Sequence, residues 1–239
     1  MSAPSAIGTT RPRAIVSWSS GKDAAYALYE ARRSGMFDIV GLLTTVTETY
    51  GRVSMHGVRE ELLEAQAEAV GLPLFKVPIP SPCPNEVYER AMGTMLGRLE
   101  SDGVRRVIFG DLFLEDIRAY REEKLRGTGI EPVFPLWGRP TSQLAEQMID
   151  AGFVAHIVAL DPQKLEARFA GRRFDRSLLA ELPAGVDPCG ERGEFHTCVT
   201  AGPVFHWPIP VVPGEVVERD GFVFADLKWN GPTRASPSG

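Results

Sequence analysis

Ser17-Trp18-Ser19-Ser20-Gly21-Lys22-Asp23-Ala24 lies between a short apolar run, Ala14-Ile15-Val16, and a helix-like run from Ala25 to Arg33. The order is strand, tight loop, helix. Small residues in such a loop leave backbone N–H groups free, and a helix start adds partial positive charge, so the segment reads as a phosphate seat. Lys22 adds a mobile cation there, and Ser19 and Ser20 add hydroxyl donors. A Walker loop needs Gly at position 16 and Ser or Thr at position 23, where this chain has Val16 and Asp23. The three spaced glycines of a dinucleotide loop are also absent, since only Gly21 is present.

The 239 residues suffice for one large domain or two small ones, and 44% apolar residues suffice for a real core. No apolar run approaches the roughly 20 residues needed to span a bilayer, and residues 1–10 lack the pattern of a signal peptide. Residues 1–10 and 230–239 read as flexible tails. A formal net charge of −5 argues against a large nucleic-acid surface. Arg118, Arg121, Lys124 and Arg126 cluster, but Glu115, Asp116, Glu122 and Glu123 interleave with them, as on a solvated helix face. Three cysteines suit a reducing compartment, so a cytoplasmic location is expected. Cys189, His196 and Cys198 invite a zinc hypothesis, but no Cys-x-x-Cys pair supports it or a sulfur-transfer role.

Strand and helix signals alternate through the first half. Strands are expected at 13–17, 39–46, 74–77 and 106–109, with Pro78 stopping the third, and helices at 22–33, 58–70, 86–100 and 117–125. Crossovers of this length imply a parallel α/β sheet with its ligand at the carboxyl ends of the strands. Ser19–Asp23, the 47–57 loop and Gly110-Asp111 all fall at such ends. The second half is mixed. After a Pro-rich junction at 131–139 come a helix at 141–151 capped by Thr141 or Ser142, a strand at 153–160 and a short helix at 177–182. Extended segments follow at 198–200, 204–207 and 216–226. The division expected is 11–135 and 136–229.

Gly190-Glu191-Arg192-Gly193-Glu194-Phe195-His196-Thr197 is the second strong signal. Glu191 and Glu194 supply carboxylates for a cation or an incoming amine, and His196 an acid or base near neutral pH. His56 either caps the helix after it or faces a nucleotide. Asp111, directly after a buried strand, reads as a metal ligand or substrate anchor, whereas Glu115 and Asp116 read as acids at a helix start.

The loop resembles the pyrophosphate loop of the N-type ATP pyrophosphatases, Ser-Gly-Gly-x-Asp-Ser, with Ser20 for the first Gly and Ala24 for the last Ser. Together with Met55–Arg59, Gly110–Glu115, Pro135–Gly138, Gly190–Thr197 and Gly202–Phe205, in that order, the chain resembles the diphthine–ammonia ligase family over roughly residues 13–227. It is most similar to a short, bacterial-type branch without the extra carboxyl-terminal domains of longer members. The resemblance implies a Rossmann-like nucleotide α-hydrolase sheet sandwiched by helices, followed by a smaller mixed α+β substrate domain. It implies ATP with Mg2+ as cofactors, ammonia and a carboxylate acceptor as substrates, and AMP with pyrophosphate as products. The acceptor is diphthine on elongation factor 2 in archaea and eukaryotes, so a bacterial member needs another. Carried over, Ser17, Ser19, Ser20, Gly21, Lys22 and Asp23 hold pyrophosphate, with Asp23 on Mg2+. Thr44, Thr45, His56, Gly110 and Asp111 lie along the nucleotide. Lys22, Asp23, Glu191, Glu194 and His196 are the catalytic set. Two rival readings are a tRNA-modifying ATP pyrophosphatase and a non-catalytic adenine-nucleotide module. The oligomeric state is open, a homodimer included.

Overall fold

Ala14, Ile15 and Val16 are completely buried in β1 (Arg13–Ser17), a central strand with a parallel neighbour on each edge and a packed core on each face. One neighbour is β2 (Asp38–Thr47) and the other is β5 (Val104–Ile108). In this computed structural model, residues 10–49, 51–54 and 56–232 are described, so most of both expected tails and Met55 lie outside the described residues. Beyond β2 lies β4 (Leu74–Ile79), and beyond β5 lies β6 (Glu131–Val133), all parallel. The chain therefore runs outward from β1 and returns to start again on its other side. The crevice between the carboxyl ends of β1 and β5 is the point where such sheets take ligands. Past the end of β1, the vacated edge of β2 pairs antiparallel with β3 (Arg52–Val53).

Alternating side chains of β1 face two cores. Ala14 and Val16 pack with α1 (Lys22–Ser34) and α2 (Glu60–Val70), while Ile15 packs with α3 (Asn85–Ser101) and α4 (Glu115–Leu125). The two faces are unequally filled. α1 and α2 bury whole apolar stripes, but α3 buries only Leu96 and Leu99, and α4 only Leu125. The room left between α3 and α4 becomes the cavity described below.

The second half builds an antiparallel sheet, ordered β8 (Phe195–Ala201), β7 (Val154–Leu160), β10 (Phe222–Trp229), β9 (Val211–Arg219). Together with α5 (Thr141–Asp150) and α6 (Arg176–Glu181), it shares one continuous core with α1 and α2. The halves are joined by directed bonds as well: Val199 N–H to the Ser20 carbonyl at 2.9 Å and His206 N–H to the Ala69 carbonyl at 2.7 Å. No helix among the described residues is long and apolar enough to cross a membrane.

Several expectations shift. β4 continues through Pro78 because it is an edge strand, where a missing N–H costs no ladder bond. Part of the Pro-rich junction is β6, also at an edge. The expected extended run at 216–226 is the tip of a hairpin, β9 and β10, turned by Asp220 and Gly221 at φ 52° and 80°. Residues 204–207 form a turn, not a strand. Pro140 occupies the α5 cap position, and the Thr141 hydroxyl bonds Asp187 instead.

The α1 loop is held in an uncommon shape. Ser20 has φ +70°, and its buried hydroxyl has no partner among the described residues. Replacing Ser20 with Gly should raise stability by about 1 kcal/mol, since left-handed strain and an orphan hydroxyl outweigh the extra chain entropy of Gly. Thermal unfolding checks this. Gly110, directly after β5, approaches α1 so closely that an added Cβ would sit 2.8 Å from the Asp23 carbonyl carbon and 2.9 Å from the Ala24 nitrogen. Those atoms are backbone and cannot swing aside, so Gly110→Ala should cost about 1–3 kcal/mol in the same assay.

Candidate active site

A cavity of about 880 Å³ opens at the crevice between β1 and β5. One wall is the α1 loop, through Ser17, Ser19 and Asp23. Thr44 and Thr45 enter from the end of β2, His56 from the loop after β3, and Gly110 and Asp111 from the end of β5. Glu191 and His196 close it from the second half, and Tyr88, Met92, Ile117 and Tyr120 of α3 and α4 form an apolar far wall. Four of the sequence-derived candidates, Ser20, Gly21, Lys22 and Glu194, lie behind these walls.

Lys22 differs most from expectation. It is not a mobile cation: it is 1% exposed, and its Nζ bonds Asp23 at 2.9 and 3.1 Å and the Cys189 carbonyl across the domain junction. The rings of Phe174 and Phe195 lie 5.2 and 5.4 Å from it. Burial opposes its charge, but the Asp23 carboxylate and its neighbours outweigh burial and hold the ammonium above its ordinary range. The Lys22 backbone N–H is directed too, donating to Thr197 Oγ1 at 3.1 Å.

Glu194 is likewise turned inward. It is 3% exposed, and its Oε1 accepts the Asp187 N–H at 3.0 Å, so it braces the turn that carries Cys189. Glu191 faces the cavity instead, half-buried. Its Oε1 accepts the Leu112 N–H at 2.8 Å, which joins the acidic turn to the loop after β5. Burial, with Asp23 and Asp111 nearby, lifts this carboxyl to about 7.

His56 and His196 form a pair, with ring centroids 4.5 Å apart. His56 is not a helix cap, since α2 begins beyond Arg59. Its Nδ1 lies 3.3 Å from the Thr197 carbonyl and must carry the proton, because a carbonyl only accepts. Burial, then the charge of Lys22, pushes His196 down to about 4. Burial, then His196, lowers His56 well below its usual value. Both rings are neutral at physiological pH, which leaves each as a hydrogen-bonding imidazole or a base rather than an acid.

Asp111 is neutralised rather than free: Arg121 pairs with it at 2.7 Å and lies over the Phe109 ring at 4.3 Å. The rest of the basic cluster is paired as well. Arg118 meets Glu122 at 2.7 Å, Lys124 meets Glu89 at 2.6 Å and Arg126 meets Glu123 at 2.7 Å. Burial holds Cys189 far above the ordinary thiol range and Cys198 at about 12, so both are thiols rather than thiolates. Among the described residues no three His, Cys, Asp or Glu side chains converge to hold a metal ion.

Gln66 and Thr197 escaped the sequence reasoning. The only signal of Gln66 was a polar residue on the apolar face of α2, beside Leu62 and Ala69. Thr197 was legible as part of the acidic segment, but its bond to the loop was not.

Sequence models of the diphthamide synthase N-terminal and C-terminal domains match residues 12–132 and 140–228. The diphthine–ammonia ligase of Homo sapiens is 27% identical over 237 residues, and that of Bos taurus 26% over 237 residues. Each alignment covers 88% of this chain and 87% of the relative. The chain belongs to the diphthamide synthase family, whose two domain models between them match nearly its whole length.

Proposed function

We propose that this chain is an AMP-forming amide ligase. An acceptor carboxylate oxygen attacks the α-phosphorus of ATP and pyrophosphate leaves. Ammonia then attacks the acyl carbon, AMP leaves, and a proton passes to a base. The observation that carries this reading is the meeting of the α1 loop with Glu191 and His196, from opposite halves of the chain, on one cavity. We assign residues 11–135 to the nucleotide and 136–229 to the acceptor. The paired state of Arg118, Arg121, Lys124 and Arg126 favours this over a tRNA-modifying role.

Backbone N–H groups of the first turn of α1 beyond Lys22, whose own N–H is taken by Thr197, bind the phosphates. Asp23, with a side chain 28% exposed, fits Mg2+, which takes few protein carboxylates together with substrate phosphates. Bound there, the ion supplies charge neutralisation at the departing pyrophosphate. Glu191, near 7, is about half ionised at neutral pH and accepts the proton released as the amide forms. The neutral His56–His196 pair offers hydrogen bonds without adding charge. Lys22 acts indirectly, holding the Cys189 carbonyl and thereby the acidic turn over the loop.

The direct experiment supplies labelled ATP, Mg2+, ammonium and a panel of carboxylates, and follows AMP and pyrophosphate. Release that depends on both ammonium and a carboxylate supports the reading; retention of intact ATP under all conditions overturns it. Glu191 makes a pH prediction. Turnover should rise through about pH 7 as the carboxyl ionises, and Glu191→Gln should remove that limb and slow turnover by about 10²–10⁴. Its carboxyl is raised on folding from 4.5 to about 7, so its stabilising contribution is present below about 4.5 and lost as pH climbs to 7. The melting temperature of wild type should therefore fall relative to Glu191→Gln over that interval. Lys22→Ala should lose turnover and also cost about 3–5 kcal/mol of stability, because it strands the Asp23 carboxylate. Denaturant unfolding measures this, and unchanged stability would remove Lys22 from its tying role.

A further inference from the structure

Gln66 is fully buried on α2. A buried amide is tolerated when each of its groups is bonded. Its Oε1 accepts the Trp18 indole N–H at 2.9 Å, and its Nε2 donates to the Ser20 carbonyl at 3.1 Å and the Val199 carbonyl at 2.8 Å. The orientation follows from chemistry, since an indole only donates and a carbonyl only accepts. These partners belong to the end of β1, the α1 loop and β8. The Ser20 carbonyl also takes the Val199 N–H at 2.9 Å.

In a planar trans peptide the C=O and N–H point in opposite directions. Holding the Ser20 carbonyl toward Gln66 and Val199 turns the Gly21 N–H away from β8. It then donates to the hydroxyl of Ser19, a residue of the cavity wall, at 3.4 Å. The same clamp keeps Ser20 at φ +70°. We propose that Gln66 is the positioning residue of the α1 loop, its side-chain amide fixing the Ser20–Gly21 peptide and through it the placement of Ser19 and of the first turn of α1 against the phosphates. This rests on the reading of the cavity as an ATP site. Gln66 touches no substrate and acts through Ser20.

The test titrates the full chain with Mg·ATP by calorimetry and records melting temperature beside it. Gln66→Met keeps the length of the side chain and removes its donor and acceptor; its affinity should fall about tenfold or more. Leu63→Ala, equally buried on α2 but with no bond to the loop, should lose stability while keeping wild-type affinity. Gln66→Glu donates only when protonated, so its affinity relative to wild type should decline as pH rises from about 6 to about 8. Wild-type affinity in folded Gln66→Met, or a ratio for Gln66→Glu that ignores pH, overturns the proposal. Should neither variant fold, the wild-type protein decides by NMR: the Gln66 side-chain amide protons should exchange slowly with solvent, and fast exchange overturns the clamp. No heat from wild type overturns the nucleotide reading itself, whereas equal heat from wild type and Gln66→Met overturns only the role of Gln66.

Discussion

An ammonium withdrawn from water needs an opposite charge and further acceptors around it, and the burial of Lys22 imposes that demand on both halves of the chain. Asp23 answers from the same loop, the Cys189 carbonyl from the other half, and the rings of Phe174 and Phe195 close the remaining sides. Once Cys189 is fixed, the turn that follows it has little freedom. Glu191 is carried to the Leu112 N–H and His196 to His56. The charge of Lys22 also reaches His196, helping to keep it neutral. One buried cation thus sets the geometry of the wall facing the loop, while burial chiefly sets its protonation.

Much of the sheet was legible in the sequence because periodicity reports burial directly. β1, the four helices of the first half and the glycines that end α1 and α2 follow from apolar spacing and from the left-handed conformation Gly tolerates. Edge elements were less visible. β4 runs on through a proline and β6 sits in a proline-rich stretch, since an edge strand can spare one N–H. The candidate site was legible in residue type and less so in direction. Spacing brought Ser19, Asp23, Glu191 and His196 forward, and all four line the cavity. It could not tell that Lys22 and Glu194 point inward, because local sequence does not reveal which partner a charge finds across two sheets. Gln66 was hidden for the same reason: its partners are far from it in the chain.

The cavity itself follows from unequal packing. α1 and α2 are pinned between two sheets, while α3 and α4 cover only one and bury few side chains. The gap they leave opens at the reversal of strand order, where carboxyl ends diverge. Apolar and aromatic side chains of α3 and α4 therefore face the carboxylates and imidazoles of the loops across it. Such a division suits a ligand with a flat apolar part and a charged part.

The charged end mixes acid and base. Asp23, Asp111 and Glu191 lie there with Arg121, Lys164 and Arg192. Arg121 is paired with Asp111 and Lys164 with Asp161, while Arg192 lies over the Phe113 ring. Beside these side chains stands the positive end of α1, whose partial charge arises from backbone N–H groups and fades within one turn. Donors of that kind work only when aimed, because a peptide rotated away presents its carbonyl instead. On the proposed reading, part of the burden of phosphate binding rests on whatever holds the loop's peptide planes. In this chain that support is the bond set reaching Ser20 from α2 and β8.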